Sequence, residues 1–177
     1  MSAEYETISD KARPVRLLIL DVDGVLTDGK ITFDGDGREI KSFNVRDGHG
    51  IVLFREMVGH VAIITGRVSE AVLKRAKELG INDVYQKCKD KVKPYEELKA
   101  KYNLRDEECA YVGDDIVDIP LLRRVGFSVT VCDGAAEAMA VSSYVTGSTG
   151  GNGAVREVCE VILKAKGLWD KIIAALV

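Results

Sequence analysis

Residues 16–29 have the sequence Arg-Leu-Leu-Ile-Leu-Asp-Val-Asp-Gly-Val-Leu-Thr-Asp-Gly, in which an apolar run ends abruptly at Asp21 and Asp23. The run is rich in strand-forming residues and does not alternate with polar ones, which is typical of a parallel strand covered on both faces. Three later segments repeat the pattern, an apolar run followed at once by small or polar residues: 61–67, 109–115 and 127–134. The four segments predict a parallel sheet.

Helical segments separate the predicted strands. They are predicted at 69–79, 94–102, 118–125, 155–165 and 169–176. Gly80 ends the first, and Pro120 is tolerable in the first turn of the third. The alternation indicates an α/β fold, a doubly wound and mainly parallel Rossmann-like sheet. We expect residues 1–13 to form a polar tail and residues 14–177 a single domain.

One segment, residues 29–45, interrupts this alternation. Two short strand-like runs, Lys30–Phe33 and Arg38–Phe43, flank the turn sequence Asp34-Gly-Asp-Gly37. This arrangement predicts a β-hairpin flap between the first strand and its helix. A chain of 177 residues has room for the sheet and this hairpin but not for a separate cap domain.

Composition excludes several classes of protein. The 28 acidic and 25 basic residues give a net charge of −3, which removes the bulk electrostatic argument for nucleic acid binding. The apolar runs are too short to cross a membrane, and residues 1–16 lack the apolar core of a secretory signal. The four cysteines are scattered without a CxxC pair, which favours reduced thiols over a zinc site. We therefore expect a cytoplasmic protein with no nucleic acid and no membrane partner.

Polar side chains follow each predicted strand, at the edge of the sheet where open α/β folds bind ligands. Asp21 and Asp23 follow the first strand, Thr65 the second and Asp114 the third, while Lys91 lies in an intervening loop. Asp21 and Asp23 are two residues apart, so in an extended backbone both carboxylates lie on one face and need a cation or a proton between them. An all-oxygen set of ligands suits Mg²⁺. An aspartate nucleophile, a second carboxyl group, a hydroxyl, a lysine and a hard metal together fit phosphoryl transfer through an aspartyl-phosphate.

The order of these motifs carries a resemblance. Asp-x-Asp-Gly-Val, then Thr-Gly-Arg, then a lysine, then Gly-Asp-Asp-x-x-Asp resembles the haloacid dehalogenase superfamily. Within it, residues 16–165 resemble the family of 3-deoxy-D-manno-octulosonate 8-phosphate phosphatases, on the segments 17–29, 43–48, 64–67, 113–118 and 150–159. The resemblance implies a Mg²⁺-dependent phosphoric monoester hydrolase of lipopolysaccharide precursor synthesis. It also implies a capless homotetramer whose hairpins associate and whose neighbouring subunits help to close each site.

The resemblance also implies roles for individual residues. Asp21 would be the nucleophile and a metal ligand, and Asp23 the acid and base that also offers its carbonyl to the metal. Thr65 and Lys91 would hold phosphoryl oxygens, Asp114 would complete the metal shell, and Asp115 or Asp118 would orient it. Substrate contacts are implied for Asp23, Asn44, Val45, Arg46, Asp47, Gly48, Arg67, Arg75 and Lys91.

Alternatives stay open at this point. Val52 and Asn152 stand where relatives often carry basic residues, and both positions concern substrate recognition, so a nine-carbon 2-keto-3-deoxy sugar acid phosphate is the alternative substrate. A phospho-acceptor domain or a non-catalytic binding protein on the same fold class are the alternatives from other classes. Lys91 is distinguished from the neighbouring Lys87, Lys89 and Lys93 by family position alone. The glycine-rich segment 147–153 could be a flexible connector, a lid or an anion-binding helix N-terminus.

Overall fold

The computed structural model describes residues 3–175, with side chains from residue 7 onward. Its strands are β1 (Leu17–Leu20), β2 (Thr32–Phe33), β3 (Glu39–Ile40), β4 (His60–Ile64), β5 (Asp83–Tyr85), β6 (Cys109–Gly113), β7 (Phe127–Thr130) and β8 (Tyr144–Val145). Six of them form one sheet in the order β5-β4-β1-β6-β7-β8, and every neighbouring pair is parallel. The predicted α/β class is confirmed.

Eight helices accompany the strands within the described residues. They are α1 (Ala3–Ala12), α2 (Val45–Met57), α3 (Glu70–Glu78), α4 (Val92–Tyr102), α5 (Ile119–Leu122), α6 (Ala136–Val141), α7 (Ala154–Ala165) and α8 (Trp169–Ala174). The predicted helix 118–125 is shorter than expected: a 3₁₀ turn at Ile116–Asp118 precedes it, and α5 ends at Leu122. Leu176, the predicted end of the last helix, lies outside the described residues.

The central strand β1 explains why the apolar runs do not alternate. Leu18 and Leu20 point into a core that α2 and α7 cover, whereas Leu17 and Ile19 point into a second core under α4 and α5. Successive side chains of a strand point to opposite faces, so a sheet with helices on both sides needs apolar residues at every position. All four β1 side chains are fully buried.

The predicted polar tail is wrong for most of its length. Helix α1 occupies Ala3–Ala12, and its Ile8 and Ala12 pack against the first core beside α7. These two apolar residues are four positions apart and share one helix face, a signal too weak to stand out among the charges of this segment. Met1 and Ser2 lie outside the described residues.

Besides α1, the elements β5, α6 and β8 escaped sequence prediction, and α2 was expected after the hairpin without a range. Strands β5 and β8 are the two edges of the sheet and have three and two residues. Such short strands contain too few residues to show a periodic pattern. They are strands because they pair with a neighbouring strand, which the sequence pattern does not show. Helix α6 has six residues, little more than a turn and a half.

The predicted hairpin is confirmed, although its strands are shorter than expected. Thr32 pairs with Ile40 and Phe33 with Glu39, in antiparallel register. The Asp34 carboxylate accepts hydrogen bonds from the amides of Asp36 and Arg38 and closes the turn. Across residues 3–175, no element forms a cap domain over the strand ends.

Candidate active site

The connections of the chain create a switch point beside β1. From β1 the chain passes through α2 to β4 on one side, and it later returns through α4 to β6 on the other side. Open α/β sheets bind ligands where the order reverses in this way, beyond the carboxyl ends of the strands. Asp21, Thr65 and Asp114 directly follow β1, β4 and β6, so three of the four predicted motifs end at this point.

The fourth motif residue, Lys91, reaches the same point from the start of α4. Its ammonium group lies 2.9 Å from the Asp21 carboxylate and 2.6 Å from the Asp118 carboxylate. The loop before it is anchored by amides of Lys87 and Cys88, which donate to the carbonyls of Arg67 and Thr65. The Lys91 side chain is 5% exposed. It is therefore a buried member of the site and not part of a solvated face.

Asp118 connects several groups of the site through hydrogen bonds to its carboxylate. Its Oδ1 accepts from Lys91 Nζ and, at 2.5 Å, from the hydroxyl of the buried Tyr111. Its Oδ2 accepts from the amides of Asp114 and Asp115 at 2.9 and 3.1 Å. Four donors occupy the acceptor sites of one carboxylate, so Asp118 orients its neighbours. Asp115 is exposed and caps the following 3₁₀ turn.

Three carboxylates converge at the end of the sheet. Oxygens of Asp21, Asp114 and Asp118 all lie within 4.8 Å of one another. Gly24 permits the approach of Asp114, because a Cβ atom at Gly24 would lie 2.0 Å from the Asp114 carboxylate. Gly24 also has a φ of +86°, which favours glycine. An all-oxygen cluster of this size suits a hard divalent cation.

The electrostatics of this cluster favour a cation as well. Burial raises the pKa of Asp21 to about 6, although Lys91 opposes that shift. Burial, with repulsion from Asp21 and Asp118, raises the pKa of Asp114 to about 7. Burial opposes the charge on Lys91, but attraction to Asp21 and Asp118 outweighs it and raises the lysine pKa. One lysine does not neutralise three carboxylates, so a divalent cation fits the remaining negative charge.

Asp23 faces the hairpin rather than this cluster. Its carboxylate forms ion pairs with Lys41, which follows β3, and with Arg67 at 3.6 Å. Glu39 of β3 joins the same group, 2.5 Å from Arg67 and 3.6 Å from Lys41. Neither Lys41 nor Glu39 was predicted as a site residue, because β3 and the residue after it carry no motif. Their alternate positions, 39 and 41, were the available signal, since alternate residues share one face of a strand.

The predicted substrate loop 44–48 is the beginning of helix α2. Asn44 is its N-cap, and the Asn44 side chain accepts from the amides of Arg46 and Asp47. Val45 is 81% exposed and Arg46 is exposed, so both are available to a ligand. The loop prediction failed because Gly48, a poor helix former, falls in the first turn of the helix.

Asp47 and Gly48 have structural tasks. The buried Asp47 carboxylate accepts from the amides of Gly153 and Arg156 at the start of α7, at 3.3 and 2.7 Å. Burial raises the pKa of Asp47 despite these two bonds. A Cβ atom at Gly48 would lie 2.2 Å from the Arg75 guanidinium, which itself donates to the Asn44 carbonyl. The Asp47 carboxylate is thus a helix cap, and its substrate contact stays a prediction.

The glycine-rich segment 147–153 is anchored and is not a free connector. The Gly151 amide donates to the Val25 carbonyl at 2.8 Å, and a Cβ atom at Gly150 would lie 1.8 Å from the Gly24 carbonyl oxygen. The segment therefore packs against the loop that carries Asp21 and Asp23. Asn152 lines a neighbouring cleft of about 240 Å³ with Arg46, whereas Val52 packs against the first core.

Comparison with known proteins agrees with this geometry. Residues 76–158, which include Lys91, Asp114 and Asp118, match a model of haloacid dehalogenase-like hydrolases. The 3-deoxy-D-manno-octulosonate 8-phosphate phosphatase KdsC of Escherichia coli K12 is 47% identical over 161 residues, 91% of this chain and 86% of that protein. The chain belongs to this phosphatase family. Yersinia pestis KdsC is 45% identical over the same share of both chains.

Solved structures of the phosphatase family share the fold. The enzyme of Moraxella catarrhalis, solved with a magnesium ion, a phosphate ion and a KDO molecule, has a TM-score of 0.94 and 45% identity over 96% of this chain and 98% of that chain. The cobalt-bound enzyme of Haemophilus influenzae has a TM-score of 0.85 and 37% identity over 89% of this chain and 92% of that chain. The predicted resemblance is confirmed. Among the described residues, no helix combines the length and the apolar character needed to span a bilayer.

Proposed function

We propose that the chain is a Mg²⁺-dependent phosphatase that hydrolyses 3-deoxy-D-manno-octulosonate 8-phosphate to the free sugar acid and phosphate, a step of lipopolysaccharide precursor synthesis. The observation that carries the proposal is the placement of Lys91 between Asp21 and Asp118, with Asp114 beside them. The site thereby joins a nucleophile, a fixed cation and an acidic metal site at one switch point.

The reaction divides into two displacements at phosphorus. A carboxylate oxygen of Asp21 attacks, the bond from phosphorus to the sugar oxygen breaks, and the Asp23 carboxyl group gives that oxygen its proton. The Asp23 carboxylate then takes a proton from water, whose oxygen attacks the phosphorus and releases phosphate from Asp21. Lys91 and Thr65, which are both buried within the site, would hold the phosphoryl oxygens through their ammonium and hydroxyl groups.

The chain's own residues fit a magnesium ion. Asp21 and Asp114 would hold it through their side chains and Asp23 through its backbone carbonyl, while Asp118 is already committed to four donors. When bound, the ion supplies positive charge against the carboxylates and the phosphoryl oxygens.

The basic residues around the site support an anionic sugar acid as substrate. Arg67 lies beside Asp23, Arg75 lies against the start of α2, and Arg46 is exposed at that same helix end. An acid phosphate carries negative charge at both ends, so it needs cations beyond those that hold the phosphoryl group. The KDO molecule in the Moraxella catarrhalis structure supports the eight-carbon acid.

A phosphate-release assay tests the proposal. Purified protein would be given the eight-carbon and the nine-carbon 2-keto-3-deoxy sugar acid phosphates, with Mg²⁺ and with a chelator. We expect Mg²⁺-dependent release with the higher kcat/KM for the eight-carbon substrate. A higher kcat/KM for the nine-carbon compound would show that this compound, and not the eight-carbon one, is the preferred substrate. Turnover that survives the chelator would overturn the metal requirement, and a stable phosphoprotein without release would point to a phospho-acceptor domain.

We also propose a cytoplasmic homotetramer assembled through the hairpins. Ile31, Phe33 and Ile40 leave the hairpin with exposed apolar side chains, 52%, 61% and 48% exposed, and apolar surface of this kind favours burial against another subunit. All four cysteines are free thiols, in keeping with a reducing compartment. Light scattering tests the assembly: Phe33→Asp should shift the tetramer to smaller species, and an unchanged mass would contradict the hairpin contact.

A further inference from the structure

The hairpin places a buried lysine against the acid and base residue Asp23. The Lys41 side chain is 1% exposed, and its ammonium group forms ion pairs with Asp23 and, at 3.6 Å, with Glu39. An ammonium group withdrawn from water is stable only when opposite charges surround it. The position of Lys41 is therefore tied to the position of the Asp23 carboxylate.

Arg67 completes this group. It lies 2.5 Å from Glu39 and 3.6 Å from Asp23, so two acids and two bases form a closed ring that joins the hairpin to the site. The Arg67 side chain is 46% exposed, against 1% for Lys41. Water screens an exposed pair more than a buried one, so the exposed arginine can leave the ring for a ligand while the buried lysine stays.

We propose that Lys41 is a positioning residue that holds the Asp23 carboxyl group in place for its proton transfers, with Glu39 bracing Lys41. The inference rests on the proposed function and extends the catalytic machinery to a hairpin that carries none of the four motifs. Lys41 acts through Asp23 and forms no bond to the reacting atoms. Without it, the Asp23 carboxylate keeps, among the described residues, the longer ion pair with the half-exposed Arg67.

Leaving-group dependence tests this role in the full-length enzyme with Mg²⁺. The sugar oxygen of a sugar acid phosphate must be protonated as it leaves, whereas p-nitrophenolate leaves as an anion. For Lys41→Met we expect single-turnover phosphoryl transfer from the sugar acid phosphate to fall by about 10- to 100-fold, since general acid catalysis contributes roughly this much or more. Transfer from p-nitrophenyl phosphate should fall by less than about threefold, and KM for the sugar acid phosphate should change equally little.

The matched control is Lys77→Met, the same loss of charge at an exposed position of α3, and it should change neither reaction. Lys41→Arg, which keeps the charge, should recover part of the loss. In a background of Asp23→Asn, Lys41→Met should cost nothing further, because Lys41 then has no carboxyl group to position. Equal losses for both leaving groups, or full additivity with Asp23→Asn, would overturn the proposal.

Glu39→Gln gives a second route if Lys41→Met does not fold. It removes the brace and should lower transfer from the sugar acid phosphate selectively, by a smaller factor than Lys41→Met; no change would count against the ring. A crystal structure of either variant adds a readout that does not depend on activity, since the Asp23 carboxylate should leave its present position. Failure of the wild-type enzyme on sugar acid phosphates would refute the proposed substrate alone, because any alkyl phosphate that turns over serves the same comparison.

Discussion

Each aspartate of the Asp21–Asp23 pair meets its own buried lysine, but the two lysines stand on different supports. Lys91 begins a three-turn helix, and backbone hydrogen bonds to the β4–α3 turn anchor the loop before it. Lys41 follows a two-residue strand in a hairpin whose apolar side chains are largely exposed. The Asp21–Lys91 pair is thus part of the core, whereas the Asp23–Lys41 pair attaches the hairpin to the site. Removing either lysine should affect catalysis, and only Lys91 should affect global stability strongly.

Asp21→Asn gives the largest expected effect. It removes the proposed nucleophile, so we expect kcat to fall by about 10⁴-fold or more with folding intact. The melting temperature at pH 7.5 should stay unchanged or rise, because burial makes the charged form of Asp21 costly. Phosphate release and thermal unfolding measure the two quantities.

The control for this experiment is Asp36→Asn, at a hairpin position whose side chain is 70% exposed. It should leave both quantities unchanged. Substantial turnover by Asp21→Asn would show that the nucleophile lies elsewhere in the cluster.

Lys91→Met should lower the free energy of unfolding more than Lys41→Met does. It leaves the buried carboxylates of Asp21 and Asp118 without their cation, and breaking a buried pair in this way costs about 3 kcal/mol or more. Lys41→Met should cost clearly less, because Arg67 remains beside both acids of the hairpin ring. Urea unfolding of the two variants gives the free energies; equal losses would contradict the difference in support.

The metal site should make both stability and metal affinity depend on pH. The pKa values of Asp21 and Asp114 are raised to about 6 and about 7, so the folded protein holds protons that the unfolded chain has already lost. Without metal, these two groups make the free energy of unfolding fall as pH rises from about 4 through about 7. Mg²⁺ binds the charged carboxylates, so its affinity should rise by about tenfold or more between about pH 5.5 and about pH 7.5.

The measurement is the shift in melting temperature caused by Mg²⁺ at both pH values. Asp21→Asn should remove most of the difference, and Asp36→Asn should retain it. An equal shift at both pH values would mean that Asp21 and Asp114 are not the ligands.

Asp47→Ala gives the smallest expected effect. Loss of a cap that accepts two amide hydrogen bonds at the start of α7 should cost about 1 kcal/mol, with kcat and KM nearly unchanged. Asp47→Asn keeps an acceptor and should lose less. Urea unfolding measures both variants. A large rise in KM for Asp47→Asn at unchanged stability would restore the predicted substrate contact.

The sequence predicted most of the site because its motifs are local. Three of the four motifs directly follow a strand, and parallel strands bring their carboxyl ends to one edge whatever the details of packing. The same logic explains the apolar runs, since burial on both faces demands them. Helix α1 and the edge strands were missed because their identity depends on partners distant in the chain.

Residue types and their order by themselves determined the fold class, the acidic strand ends and the family. Only the tertiary structure decided which groups pair: Asp118 with Lys91, Asp47 with α7, and Asp23 with Lys41. The physical reason is that the cost of burying charge is settled by partners in space. Lys41 and Asp23 are 18 positions apart and Asp47 and Arg156 are 109 apart, separations that no local pattern encodes.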